Sequence, residues 1–235
     1  MSVAGEAGGA RVKCGVPLVD LAAGLYAAFS IAAMLVQVRA GGRGAHIDIP
    51  MFGCTLGIAA LQTSEYFGNG KSPVKLGSAH PRNAPYQAFA AQDGHFAIAA
   101  GNHKLWLSVL DVVGLPQLAQ EARFLTPTDR ARHQAELKDI LEAVFTQQSV
   151  AHWIDAFNQA GVPHARINDY AAALADAQTE HMGWVQPLTL PNGQQTRTFA
   201  SPVRLNGQGF PVRRPPPALG EHTAEIRAAH AAPQD

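Results

Sequence analysis

The sequence predicts an α/β protein, and three observations carry that reading. Apolar residues recur at helical spacing in several segments, and shorter apolar runs between them bracket an Asp-Gly pair in the manner of a hairpin. The third is size: 235 residues, 47% of them hydrophobic, allow a sizeable core in one large domain or two modest ones.

Taken in order, residues 1–14 are rich in Gly and Ala and are expected to be poorly ordered. A first helix is expected to start at Asp20 and to stop at Gly41, Gly42 and Gly44, after which AHIDIPMF alternates as a strand does. Residues 55–67 predict a second helix ended by the GNGKSP turn, and residues 73–85 read as a linker because Pro, Gly, Ser and Asn recur at short intervals. YQAFAAQDGHFAIAA predicts a hairpin turning at Asp93-Gly94. Helices are expected over 104–113, 129–146 and 150–160, the last capped by Ser149. In the middle one Leu137, Ile140, Leu141, Val144 and Phe145 form a core-facing stripe. GVPHARI predicts a short strand, residues 169–177 a short helix, and WVQPLTL and TRTFASPVRL two strands flanking a Pro191-Asn192-Gly193 turn. A proline-rich connector leads to a last helix over 223–230.

Composition narrows the function. Lys plus Arg and Asp plus Glu are both 18, so the chain has no basic footprint for nucleic acid and no acidic tail. Cys14 and Cys54 are the only cysteines, which builds no disulfide framework and fits a reducing cytoplasm. The uncharged run 21–36 is shorter than the about 20 residues a membrane span needs and is rich in Ala and Gly. It reads as a buried helix of a soluble protein, and it begins too late for a signal peptide.

Standard chemical motifs are absent: no P-loop, no G-x-G-x-x-G, no H-E-x-x-H, no C-x-x-C and no G-x-S-x-G. His46 and Asp48 alternate on one expected strand, and His80, His95 and His103 lie within a short span, but nothing fixes a ligand geometry and no metal site is expected. Asp20 stands alone ahead of the apolar run. As a helix cap, its oxygen accepts from unpaired amides of the first turn. As a nucleophile, it is held ionised by those amides beside an apolar surface. Both hold together only if one oxygen stays accessible.

The stretch GVPLVDLAAGLYAAFSIAAMLVQVRAGGRGAHIDIPMF resembles the family III CoA-transferases (CaiB/BaiF type), which include carnitine CoA-transferase, formyl-CoA transferase and α-methylacyl-CoA racemase. The likeness continues through LGSAHPRNAPYQAFAAQDGHFAIAAGNHKLW, RFLTPTDRARHQAELKDILEAVF, HWIDAFNQAGVPHARIND, FASPVRLNG and RRPPPALGEHT, in family order and over nearly the whole chain. It implies that Asp20 is the nucleophile that forms a mixed anhydride and then an aspartyl-CoA thioester, with coenzyme A entering as a substrate and no metal. It further implies that Gly101, Asn102 and His103 belong to the loop closing over the reacting acyl group, and that His80 belongs to a recurrent His-Pro ahead of the first strand of the small domain. The racemase branch places a glutamate in that loop. Here the loop reads Gly101, Asn102, His103, Lys104, so transfer is favoured over racemisation.

The resemblance implies the C-terminal portion of the family fold, large-domain helices plus a smaller α/β domain joined by long linkers. The expected division is 15–72 (large-domain segment carrying Asp20), 73–85 (linker), 86–180 (small α/β domain), 181–217 (strands and return linker) and 218–235 (C-terminal helix). The family's Rossmann-like half, which grips the nucleotide of CoA, has no counterpart here, and Arg39 and Arg43 are too few to rebuild it. The expected partners are an acyl-CoA, a small carboxylic acid, and either a second copy or a CoA-binding subunit, with no nucleic acid and no membrane. A non-catalytic subunit or truncated remnant acting in assembly is the alternative.

Overall fold

The computed structural model describes residues 1–231. By its contacts the chain forms two compact units, Met1–Arg166 and Ile167–Asp235. In the first, α1 (Leu18–Arg39) is followed by α2 (Met51–Ile58) and α3 (Ala60–Asn69). Helix α1 starts earlier than expected: its N-cap is Pro17, and the first helical bond runs from the Leu21 amide to the Pro17 carbonyl at 3.1 Å. With the helix beginning at Leu18, Asp20 falls inside the first turn and is not the cap.

Two further expectations differ. The stretch AHIDIPMF is irregular up to Pro50, because no neighbouring strand among the described residues offers it a ladder. The single helix expected over 55–67 is two helices broken at Ala59, whose ψ of 30° leaves the helical region. Helices α1 and α2 meet where Ala22 and Cys54 are buried. A Cβ at Gly57 would stand 2.7 Å from the Tyr26 hydroxyl oxygen, so a larger residue there would displace the end of the Tyr26 side chain.

Beyond this helix pair, α1 is not the buried helix its composition predicts. Leu21, Leu25, Phe29, Ile31, Leu35 and Val36 are all exposed, Leu25 to 69%. At 22 residues α1 is long and apolar enough to cross a bilayer, yet only 6% of its most apolar window is buried. The surface area makes the same point in bulk. Two self-contained domains of these lengths would expose about 12,000 Å² in all, whereas the chain exposes 16332 Å².

The rest of the first unit is closed. Strands β1 (Tyr86–Ala91) and β2 (Gly94–Ala99) form a hairpin in register Phe89↔Phe96 and Ala91↔Gly94, so Gln92 and Asp93 make the turn and Gly94 opens the second strand. Strand β3 (His164–Arg166) adds antiparallel to β2, giving the order β1-β2-β3. Over this sheet lie α4 (His103–Val113), α5 (Pro127–Arg132), α6 (Gln134–Phe145) and α7 (Val150–Gln159), with a 3-10 turn at Pro116–Gln120. The expected helix over 129–146 breaks at His133, whose Nδ1 lies 2.9 Å from the Asp129 carbonyl.

Alternation places Phe89, Phe96 and Ile98 on one sheet face, and helical spacing places Trp106, Val109, Leu110 and Val113, then Leu137, Leu141 and Phe145, against them. Phe145 is the hub, with ring centroids of Phe89, Phe96, Trp153 and Phe157 at 5.2, 5.0, 5.1 and 6.0 Å. Burying each such ring stabilises the fold by about 1.5–3 kcal/mol, with a smaller edge-to-face gain. Caps set the helix ends: Asn102, Thr126 and Ser149 accept from the amides of Leu105, Asp129 and His152. The outer edge of β1 is closed by side chains, since the Ala88 amide donates to Ser78 Oγ (3.0 Å) and the Ala90 amide to Glu142 Oε1 (2.7 Å). A sheet edge so occupied cannot pair with another chain.

The second unit holds α8 (Tyr170–Leu174), α9 (Ala177–Met182), the hairpin β4–β5 (Val185–Thr189, Gln195–Phe199), the short pair β6–β7 (Arg204–Leu205, Gln208–Gly209) and α10 (Thr223–His230). Asp169 and Asp176 cap its first two helices. The turn at 191–193 and α10 fall where the sequence predicts them, but the strand expected over TRTFASPVRL ends at Phe199, with Arg204–Leu205 pairing with β7 instead, and the helix expected over 169–177 ends at Leu174. The last residues of the expected C-terminal segment, 232–235, lie outside the described residues.

Candidate functional site

Asp20 is the third residue of α1, inside the first turn, where the helix dipole favours a negative charge. Its side chain is exposed, and among the described residues its carboxylate accepts no hydrogen bond from the first-turn amides or any other group. Both oxygens are therefore accessible. An ionised carboxylate in that state can attack an electrophilic carbonyl carbon.

The loop ahead of α4 is built differently. Asn102 is fixed by capping: its Oδ1 accepts from the Leu105 amide at 2.9 Å, and its carbonyl accepts from the Trp106 amide at 3.0 Å. His103 opens the helix with an exposed side chain. Gly101 lies against Asn83, whose amide group would stand 3.6 Å from a Cβ at that glycine, an ordinary contact distance. A small side chain would fit there, so what glycine supplies is an unshielded backbone.

His80 is joined to this loop through Asn83. Its Nδ1 accepts from the amides of Asn83 (3.1 Å) and Arg82 (3.2 Å), so the proton of the neutral ring is on Nε2. The ring stacks on Tyr86 with centroids 5.0 Å apart and planes 10° from parallel, and the His80 amide donates to the Tyr86 carbonyl at 2.9 Å. These bonds hold the turn 80–83 rigidly beside the first strand.

The structure thus gathers His80, Gly101, Asn102 and His103 into one neighbourhood. No hydrogen bond or ion pair among the described residues ties that neighbourhood to Asp20. Arg39, in the last turn of α1, and Arg43, in the loop beyond, are exposed and enter no ion pair among the described residues. A cleft of about 860 Å³ is lined by Leu56, Tyr66, Phe67 and Val74 with Arg11 and Lys75, and Asp20 is not among its lining residues. No group of three or more metal-ligating side chains occurs among the described residues.

Sequence reasoning missed Arg130. It is completely enclosed, its Nε donating to the Ala84 carbonyl at 2.9 Å and its Nη1 to the Phe124 carbonyl at 3.0 Å. Removal from water lowers its pKa. The signal was its spacing: Arg130 lies seven residues before Leu137, on the continuation of the core-facing stripe, where a charge is out of place.

A segment of long apolar helix bearing one free carboxylate, joined in chain order to a small sheet module with a capped glycine loop, has a match among known proteins. The profile of CoA-transferase family III matches residues 1–223, and the chain belongs to that family. It is 35% identical over 221 residues to acetyl-CoA:oxalate CoA-transferase of Acetobacter aceti, covering 94% of this chain and 56% of that protein. It is 31% identical over 226 residues to succinyl-CoA:glutarate CoA-transferase of Mus musculus, covering 96% and 52%. The crystal structure of a CAIB/BAIF family protein from Brucella suis superposes with a TM-score of 0.77 at 33% identity, over 97% of this chain and 59% of that one. The chain thus spans about half the length of the curated relatives it matches.

Proposed function

We propose that this chain supplies the nucleophile of a CoA-transferase that moves CoA from an acyl-CoA to a free carboxylic acid. One observation carries the reading: in a member of family III, the carboxylate of Asp20 stands exposed and without hydrogen-bond partners in the first turn of α1. An Asp20 oxygen attacks the thioester carbonyl carbon, the C–S bond breaks, and the electron pair leaves on the CoA thiolate. The thiolate then attacks the aspartyl carbonyl of the mixed anhydride, releasing the donor acid and leaving an aspartyl-CoA thioester. The acceptor carboxylate repeats both steps in reverse and regenerates Asp20. No proton is consumed, and each step replaces one activated acyl bond by another, which is what makes a covalent carboxylate effective here.

The anhydride must be kept from water. The loop Gly101–Asn102–His103 fits that cover, with glycine amides able to approach an oxyanion and His80 holding the turn behind it. The groups that grip the nucleotide of CoA then come from polypeptide outside these 235 residues, with Arg39 and Arg43 lending two cations. The exposed apolar surface of α1 supports this, because patches of that extent rarely face water on a self-sufficient monomer. Ala22, Gly24, Ala28 and Ala32 thin the helix for close approach by other helices of the completed protein.

The test is thioester exchange in the completed enzyme, begun with acetyl- or succinyl-CoA and the dicarboxylates named in the relatives, oxalate and glutarate. Asp20→Ala is expected to lower turnover by on the order of 10⁴-fold or more. Its helix loses only about 0.3–1 kcal/mol of dipole interaction. Full turnover by Asp20→Ala overturns the assignment. Absence of exchange by the completed wild-type protein leaves a subunit that acts in assembly alone.

A further inference from the structure

The guanidinium of Arg130 is linked to the candidate cover loop from two directions, each through one intermediate segment. On one side its Nε holds the Ala84 carbonyl at 2.9 Å, and the next carbonyl, of Pro85, accepts from the Ala100 amide, also at 2.9 Å, immediately before Gly101. The carbonyl after that, of Tyr86, accepts from His80, whose ring holds Asn83 against Gly101. On the other side, Arg130 Cζ lies 5.3 Å from the ring centroid of Trp106, and the Trp106 amide donates to the Asn102 carbonyl.

The neighbouring Asp129 carboxylate acts on the guanidinium only through space. Arg130 enters no ion pair among the described residues, and its Nη2 and the Trp106 Nε1 are buried without acceptors. An enclosed guanidinium with an unmet donor is a costly way to fill a core. What it supplies that an apolar residue does not is a planar fork, which fixes several backbone carbonyls in one geometry.

We infer that Arg130 is a positioning residue that braces Gly101–Asn102–His103 through the Ala84 carbonyl and the Trp106 ring, an inference that rests on that loop being the cover of the reacting group. It touches no substrate. Its effect is to limit how far the loop opens while an anhydride is present.

Arg130→Lys keeps the charge and the stem but loses the fork. The control is Phe157→Leu, which loosens the same core without touching the loop. Amide exchange of Ala100, Leu105 and Trp106 in the full chain is expected to be about tenfold faster in Arg130→Lys than in the control, compared at equal global stability. In the completed enzyme, the ratio of acyl-CoA hydrolysis to CoA transfer is expected to rise by about tenfold in Arg130→Lys and to stay unchanged in Phe157→Leu, because a loose cover admits water. If both readouts follow the control, Arg130 is a core residue and the inference falls. Should Arg130→Lys not fold, Trp106→Phe, which removes the indole, is judged by the same two readouts. Absence of transfer by the wild type sinks the functional reading, and the exchange rates alone then uphold or overturn the brace.

Discussion

Phe145 and Leu25 are both large apolar residues in helices of the same compact unit, yet Phe145 is fully enclosed and Leu25 is 69% exposed. Around Phe145 the hairpin and helices α4 to α7 satisfy one another: rings meet rings, caps close helix ends, and side chains occupy the edge of β1. Helix α1, which carries Leu25, packs mainly on α2, where Ala22 and Cys54 are the buried residues. The difference separates what the chain folds by itself from what it prepares for something else. The free carboxylate lies on the unfinished side.

That contrast can be broken directly. Phe145→Ala is expected to destabilise the chain by about 3–5 kcal/mol, and Leu25→Ala by no more than about 0.5 kcal/mol, both read from urea midpoints. A large cost at Leu25 in the isolated chain erases the distinction. Next in size is assembly. Phe29→Asp is expected to weaken association with a second copy or with the completing polypeptide by about 2–4 kcal/mol in sedimentation, at unchanged global stability. Unaltered association leaves that face with no role in assembly.

Smaller effects sharpen the picture inside the closed module. Ser149→Ala removes the acceptor for the His152 amide and is expected to cost about 1 kcal/mol of stability. Asp129 has its pKa lowered, first by the Thr126 hydroxyl that donates to it at 2.5 Å, with Arg132 and His133 adding to the effect against partial desolvation. A carboxylate whose folded pKa is depressed adds stability above its unfolded pKa and loses it as pH falls toward the folded one. Acid should therefore cost the wild type slightly more than Thr126→Val below about pH 4, near the unfolded carboxylate pKa. Parallel pH profiles for the two proteins contradict that cap.

The closed module was largely legible in the sequence because its signals are local. The stripe of Leu137, Leu141 and Phe145, the Ser149 cap and the two hairpin runs each depend on neighbours a few residues away. The errors fall where structure depends on something distant. AHIDIPMF alternates like a strand but finds no ladder, and α1 has a buried helix's composition without the burial. Asp20 was identifiable as an isolated acid, but its cap was misread, because the helix starts two residues earlier, at Leu18. Arg130 was missed because a charge in TPTDRARH looks like surface; its spacing from Leu137 hinted otherwise, but the helix breaks at His133 between them, and the carbonyls that hold the guanidinium come from distant parts of the chain.

The most direct measurement is to trap the covalent intermediate. The completed enzyme is incubated with its acyl-CoA and hydroxylamine, digested, and its peptides are weighed. A hydroxamate on the peptide containing Asp20, formed only when acyl-CoA is present and absent from Asp20→Ala, is the predicted result. Steady CoA transfer with no modification at Asp20, or with the modification on another side chain, contradicts the account.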